Sequence, residues 1–167
     1  MDANDAITAK DYLPIQFERS NAAQSLWNFE AVVVLGILAY VGAKGSLAPG
    51  LIQILLTIGF LGFAVLNLAE LRKVSRQRTI IGRAIGQHLP VELDGLNRYL
   101  YPFDRQLVKR MHLLVDGATF FAIWYIPLRS AGWGRIPTFL LSVAISALAS
   151  WIVDGMARHL QNRRVGS

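Results

Sequence analysis

The sequence between Lys44 and Glu70 reads GSLAPGLIQILLTIGFLGFAVLNLA (45–69), a run of 25 residues without a charge. A helix needs roughly 17–25 mostly apolar residues to cross the hydrocarbon core of a bilayer, which is about 30 Å thick. The run is long enough for this, and Pro49 with Gly50 marks its beginning because proline is tolerated in the first turn of a helix. This stretch predicts a transmembrane helix.

Three further stretches have the same character. Residues 31–43 are uncharged and follow Glu30, and residues 136–153 form an uncharged run of 18. The third span is the weakest, because residues 117–128 after Asp116 supply only 12 uncharged positions, roughly 18 Å of helix. Asp116 must therefore lie near the headgroups on one side if this segment crosses. We expect spans at about 22–43, 48–70, 108–128 and 134–155.

The composition supports an all-α integral membrane protein. Of the 167 residues, 53% are hydrophobic and 17% are charged, whereas soluble domains carry about 25% charged residues. These figures exclude an ordinary soluble enzyme and a disordered chain, and the absence of cysteine excludes a disulfide scaffold. We expect a single membrane domain over residues 1–167, with four transmembrane helices forming two helical hairpins and helical extensions in the cytoplasm. Pro127 is predicted to end the third span.

The basic residues predict the orientation. Of 17 lysines and arginines, 14 lie before the first span, in the loop at about 71–107 or after the fourth span. The positive-inside rule then places both termini and this loop in the cytoplasm of a plasma or inner membrane. The collar of basic residues predicted to face lipid or a partner is Arg72, Lys73, Arg76, Arg78 and Arg83. Anionic lipid explains these charges, so we expect no nucleic-acid partner.

The central loop carries a helical pattern. Val74, Ile81, Ile85 and Leu89 recur at helical spacing between arginines. This favours either an extension of the second helix or an amphipathic helix on the membrane, in both cases ending before Pro90. A short helix is expected around residues 93–100, and Asp104 is a candidate cap for the third helix.

Each predicted span contributes one acid near its cytoplasmic end. These acids are Glu30, Glu70, Asp116 and Asp154. They either pair with the surrounding arginines or form a ring of carboxylates at the mouth of an ion path, since acids within a membrane tend to face a bundle interior or a wet cavity. His112 lies one helical turn before Asp116, and Lys109 and Arg110 are predicted to reach toward that carboxylate.

Other polar and small residues predict helix contacts. Asn67 lies within apolar sequence and should hydrogen-bond across a helix interface. Ser142, Ser146 and Ser150 recur every four residues, which favours close helix packing but also fits the lining of a narrow pore. Gly59 and Gly62 are the corresponding candidates for close packing in the first hairpin.

The sequence favours a non-enzymatic membrane subunit that acts by assembly. We expect the lipid bilayer, further copies of the chain or other membrane subunits, and a cytoplasmic protein as partners. The alternative is an oligomeric ion or proton channel that uses the acidic residues. An enzyme acting on lipid headgroups has no complete motif to support it. No cofactor or metal site is predicted, because His88, His112 and His159 lack paired ligand spacing.

Overall fold

A computed structural model describes residues 9–44, 50–88 and 105–163 as four helices. They are α1 (Ala9–Lys44), α2 (Leu51–His88), α3 (Arg105–Ser130) and α4 (Arg135–Arg163). Within these residues there is no strand, and all four helices are long and apolar enough to cross a membrane. The all-helical, four-span prediction is confirmed at this level, and α3 is the least apolar helix, as expected.

The second helix continues well past the apolar run. It ends only at His88, so residues 71–88 extend α2 rather than forming a separate element. Val74 and Ile85 are buried, so the apolar positions at helical spacing face the interior. The short helix expected around residues 93–100 and the cap expected at Asp104 lie outside the described residues.

The ends of α2 and α3 follow ordinary capping rules. At the start of α2, the Gly50 amide donates a hydrogen bond to Oε1 of Gln53 at 2.8 Å, which is half of a capping box. At the end of α3, Trp133 N–H bonds to Leu128 C=O at 3.2 Å and Gly132 N–H bonds to Arg129 C=O at 3.1 Å. This is a Schellman motif, and Gly132 supplies its left-handed residue with φ of 85°.

Pro127 does not end the third helix. The helix continues through this residue to Ser130, and the chain reverses only at the Schellman turn. A proline this close to the C-terminus of a helix removes one backbone hydrogen bond while the remaining turns stay intact. The expectation that Pro127 terminates the helix is therefore wrong by about one turn.

Helices α2 and α3 form the centre of the bundle. Among the described helices, α1 contacts α2 and α3, α4 contacts the same two, and α1 and α4 do not touch. Contacts between α2 and α3 join Thr57 to Trp124 and Asn67 to His112, so the two helices run antiparallel. The apolar core lies between these polar contacts and includes Phe60, Ala64, Leu68, Phe120, Ile123 and Val153.

The outer surface of the bundle is apolar. Large hydrophobic side chains are exposed along every helix, with Val32 67%, Leu55 58%, Leu114 66% and Ile136 74% exposed. In water such a surface would be unfavourable, and soluble monomers rarely expose large contiguous apolar patches. The same surface is favourable in contact with the hydrocarbon of a bilayer. The four candidate spans accordingly indicate a membrane location.

Candidate functional site

Four polar side chains from three helices meet inside the bundle. Glu30 of α1, Asn67 of α2, and His112 and Asp116 of α3 are each at most 5% exposed. His112 and Asp116 lie one turn apart on α3, which places both on the same face of that helix. We call these four residues the buried polar cluster.

Hydrogen bonds connect the members of the buried polar cluster in series. His112 Nδ1 lies 2.7 Å from Asp116 Oδ2, and the amide nitrogen of Asn67 lies 3.4 Å from His112 Nε2. The same Asn67 nitrogen donates to Glu30 Oε2 at 3.2 Å. With His112 Nδ1 protonated, the Asp116 carboxylate accepts from the ring, and Asn67 can donate to the neutral Nε2.

Two carboxylate oxygens of the cluster have no hydrogen-bond partner among the residues that the structure describes. They are Glu30 Oε1 and Asp116 Oδ1, and both are shielded from solvent. Glu30 Oε1 lies 3.5 Å from His112 Nδ1, close enough for an ion pair when the ring is charged. Within the described residues, no lysine or arginine forms an ion pair with either carboxylate. The cluster therefore holds acceptor capacity that its own side chains do not use.

Aromatic and apolar residues enclose the cluster. The Trp27 ring lies 5.9 Å from the His112 ring between centroids. Further along the bundle, Phe60 and Phe120 pack edge to face at 5.0 Å, and Ile123 is fully buried beside them. This apolar layer separates the cluster from the polar residues Thr57 and Trp124.

Asp154 belongs to a different network, nearer the basic ends of the helices. Its carboxylate accepts hydrogen bonds from Arg72 of α2 and from Lys109 of α3 at 2.9 Å, and it forms an ion pair with Arg158 of its own helix at 3.1 Å. The side chains of Arg72 and Asp154 are only 15% and 14% exposed. We call Asp154, Arg72 and Lys109 the ion-pair network. It holds α2, α3 and α4 together on the side away from α1.

The four predicted acids therefore do not form one ring. Glu30 and Asp116 enter the buried polar cluster and Asp154 enters the ion-pair network, while Glu70 pairs with Lys73 at 3.2 Å and is 38% exposed. The expectation that Lys109 reaches Asp116 is wrong, because its ammonium bonds to Asp154 instead. Arg110 is exposed rather than directed at Asp116.

The serine row and the glycines occupy different environments. Ser142 and Ser146 are buried, and a Cβ added at Gly117 would lie 3.3 Å from Ser150 Oγ, which marks a close approach of α3 and α4. Gly117 is the partner that sequence reasoning missed, because its place opposite Ser150 depends on how the two helices are rotated. A Cβ added at Gly59 or Gly62 would have no neighbour within 4 Å among the described atoms.

The predicted basic collar is divided by burial. Lys73, Arg76 and Arg83 are exposed, whereas Arg72 turns inward to Asp154. Arg78 is half-buried and lines a cavity of about 250 Å³ together with Ser20, Trp27 and Ser75. Because only Lys73, Arg76 and Arg83 of the five predicted residues are exposed, these three alone are called the basic collar below.

Comparison with known proteins gives no relative from which a role could be transferred: no protein-family model, no curated protein sequence and no solved structure matches this chain.

Proposed function

We propose that the chain is a non-enzymatic membrane subunit that acts by assembly and holds its basic collar against anionic lipid headgroups. In this proposal four transmembrane helices form two helical hairpins, and both termini and the helical extensions lie in the cytoplasm. Plasma or inner membrane is the proposed location, as the distribution of lysine and arginine favours.

The outward stripe of α2 carries this proposal. Leu55, Ile58 and Leu66 are 58–62% exposed and recur at helical spacing on one side of the helix. An α-helix turns by 100° per residue, which places Lys73, Arg76 and Arg83 on the same side of α2 as these three apolar residues. Apart from Ile80, which is also exposed, the stripe thus changes from apolar to cationic between Leu66 and Lys73, which is the pattern of a helix leaving hydrocarbon and meeting anionic headgroups.

Contacts between sequential helices support the hairpins. Residues 20–27 of α1 line a cavity with residues 71–78 of α2, whereas residues 33–40 of α1 line another with residues 52–63 of α2, so the paired residues move in opposite directions along the chain. Contacts between α3 and α4 include Lys109 with Asp154 and Phe121 with Phe139, which follow the same rule. Both connections away from the basic loop are short, as tight hairpins require.

Removing the collar should weaken the preference for anionic lipid. In the triple variant Lys73→Gln/Arg76→Gln/Arg83→Gln, each lost charge should lower that preference about fivefold, since a cation near the surface contributes about 1 kcal/mol. The measurement is the phosphatidylglycerol retained per chain after extraction from mixed phosphatidylglycerol–phosphatidylcholine vesicles. Particle mass measured on the same sample should exceed that of one chain.

A charge-matched control lies at the opposite end of the bundle. Lys44→Gln/Arg129→Gln/Arg135→Gln removes three cations that we assign to the other membrane face, and it should leave lipid retention close to that of the unaltered chain. Equal retention by the collar variant and the unaltered chain would contradict the lipid role. Particles that contain a single chain would contradict the assembly role.

A second candidate function is proton conduction by an oligomer. The observation that favours it is the series Asp116–His112–Asn67–Glu30, because buried titratable chains mark proton relays in membranes. The apolar layer at Phe60 and Phe120 is an obstacle to a path through one chain. In liposomes, conduction predicts proton flux that Asp116→Asn reduces at least tenfold while Glu70→Gln does not. Absence of flux from inserted, folded protein would exclude it.

A further inference from the structure

We propose that Glu30, His112 and Asp116 bind one divalent transition-metal ion between α1 and α3. The proposal concerns the buried polar cluster and does not depend on the basic collar or its lipid. The ion belongs to the class of Zn²⁺ and Mn²⁺, because imidazole suits zinc and carboxylates suit manganese.

The first argument is the geometry of the donor atoms. One ligand atom from each of Glu30, His112 and Asp116 lies within 4.8 Å of the other two. His112 Nδ1 lies 2.7 Å from Asp116 Oδ2 and 3.5 Å from Glu30 Oε1. Ligand atoms around tetrahedral zinc lie about 3.3 Å apart, given bonds of about 2.0–2.1 Å. To admit the ion, the hydrogen-bonded pair His112 Nδ1 and Asp116 Oδ2 must lose its shared proton and open by about 0.6 Å, whereas His112 Nδ1 and Glu30 Oε1 already have nearly the required separation.

The second, independent argument is the unused acceptor capacity of the carboxylates. Glu30 is 1% exposed and Asp116 is 0% exposed, yet within helices α1 to α4 Glu30 Oε1 and Asp116 Oδ1 have no hydrogen-bond partner. A buried polar atom without a partner is destabilising, and native structures retain few of them without a reason. A metal ion would take up these lone pairs directly.

Charge balance favours an ion of charge two. The cluster holds two carboxylates, and neither Arg72 of α2 nor Lys109 of α3 pairs with them, because both are bound to Asp154. Two carboxylates with a neutral imidazole carry two negative charges, which one divalent cation neutralises. Neutralisation is required because isolated charges inside a membrane bundle are costly.

Asn67 has the position of a residue that orients a ligand. Its amide donates to Glu30 Oε2 and so leaves Oε1 as the free oxygen of that carboxylate. Outer residues of this kind fix ligand orientation in metal sites, and their removal typically weakens metal affinity about 10–100-fold. Asn67 is therefore a positioning residue and not a ligand in this proposal.

Zinc binding to the tag-free chain tests the proposal. Purified protein in detergent is stripped with a chelator, dialysed against chelator-buffered Zn²⁺ and assayed for bound zinc by elemental analysis. We expect one Zn²⁺ per chain, an affinity at least tenfold weaker in Glu30→Gln, His112→Gln and Asp116→Asn, and about tenfold weaker in Asn67→Ala. Zinc should raise the unfolding temperature of the unaltered chain by mass action and leave that of the three ligand variants unchanged.

Two matched controls keep the result interpretable. His159→Ala removes an exposed histidine and Glu70→Gln alters a carboxylate outside the cluster, so both should retain one zinc. Equal zinc in the ligand variants and the unaltered chain would overturn the assignment. The assignment would also be overturned if helical, monodisperse protein took up neither Zn²⁺ nor Mn²⁺. In that case protonation, rather than a metal ion, would neutralise the carboxylates of the cluster.

Discussion

Replacing Asp154 with leucine should lower the free energy of unfolding by about 2–3 kcal/mol, because it leaves the largely buried cation of Arg72 and the partly exposed ammonium of Lys109 without their common acceptor. Asp154 is the one residue of the ion-pair network that contacts both of the other members. Removing it therefore weakens the attachment of α4 to α2 and to α3 at once. The measurement is unfolding of the purified chain by SDS in mixed micelles, followed by loss of helicity.

Glu70→Ala is the control for this prediction. Like Asp154, Glu70 was predicted to lie near the cytoplasmic end of its span. Its partner Lys73 is 50% exposed, however, so water screens the ion pair. Exposed ion pairs contribute about 0–1 kcal/mol, so this variant should unfold almost like the unaltered chain. A further variant, Asp154→Leu/Arg72→Met, should recover part of the lost stability because it removes one of the unpaired cations. If Asp154→Leu and Glu70→Ala lost equal free energy of unfolding, burial would not make the ion pairs of Asp154 stronger than that of Glu70.

Asp154 and Glu70 look alike in the sequence but have different surroundings in the structure, and this difference separates what could be predicted from what could not. The uncharged runs 45–69 and 136–153 are long enough to span a bilayer by themselves, whereas the other two spans could be predicted only by admitting Glu30 and Asp116 into them. Glu30, His112, Asp116 and Asn67 could also be selected, because polar residues are rare within such runs. Their meeting in one cluster could not be predicted, because it requires the rotation of three helices about their axes.

Helix rotation is difficult to predict for a membrane bundle. In a soluble helix the apolar stripe identifies the buried face, since the opposite face must be polar. Here Leu66 faces outward at 62% exposed while Leu68, two positions on, is fully buried, and both are leucine. Hydrocarbon and protein interior select the same residue types, so the sequence pattern loses the information that would place Lys109 beside Asp154 rather than Asp116.

The contact of Gly117 with Ser150 gives the second large expected effect. Gly117→Leu should lower the free energy of unfolding by about 3 kcal/mol, because its side chain must enter space that Ser150 already occupies. Helices α3 and α4 would then have to move apart near the ion-pair network. The matched control is Gly36→Leu, where an added Cβ meets no described atom within 4 Å, and it should unfold close to the unaltered chain.

A smaller pair of substitutions tests whether Ser150 is the responsible neighbour. In Gly117→Ala the new Cβ would lie 3.3 Å from Ser150 Oγ, which is tighter than ordinary contact, so we expect this crowding to cancel most of the gain of about 1 kcal/mol that alanine gives over glycine within a helix. Ser150→Ala removes that oxygen, and the double variant should show the gain, giving a coupling of about 0.5–1 kcal/mol between the two sites. Strictly additive effects would show that the two residues do not meet. The coupling would instead establish that the serine row of α4 packs against α3, as the four-residue spacing of Ser142, Ser146 and Ser150 predicts.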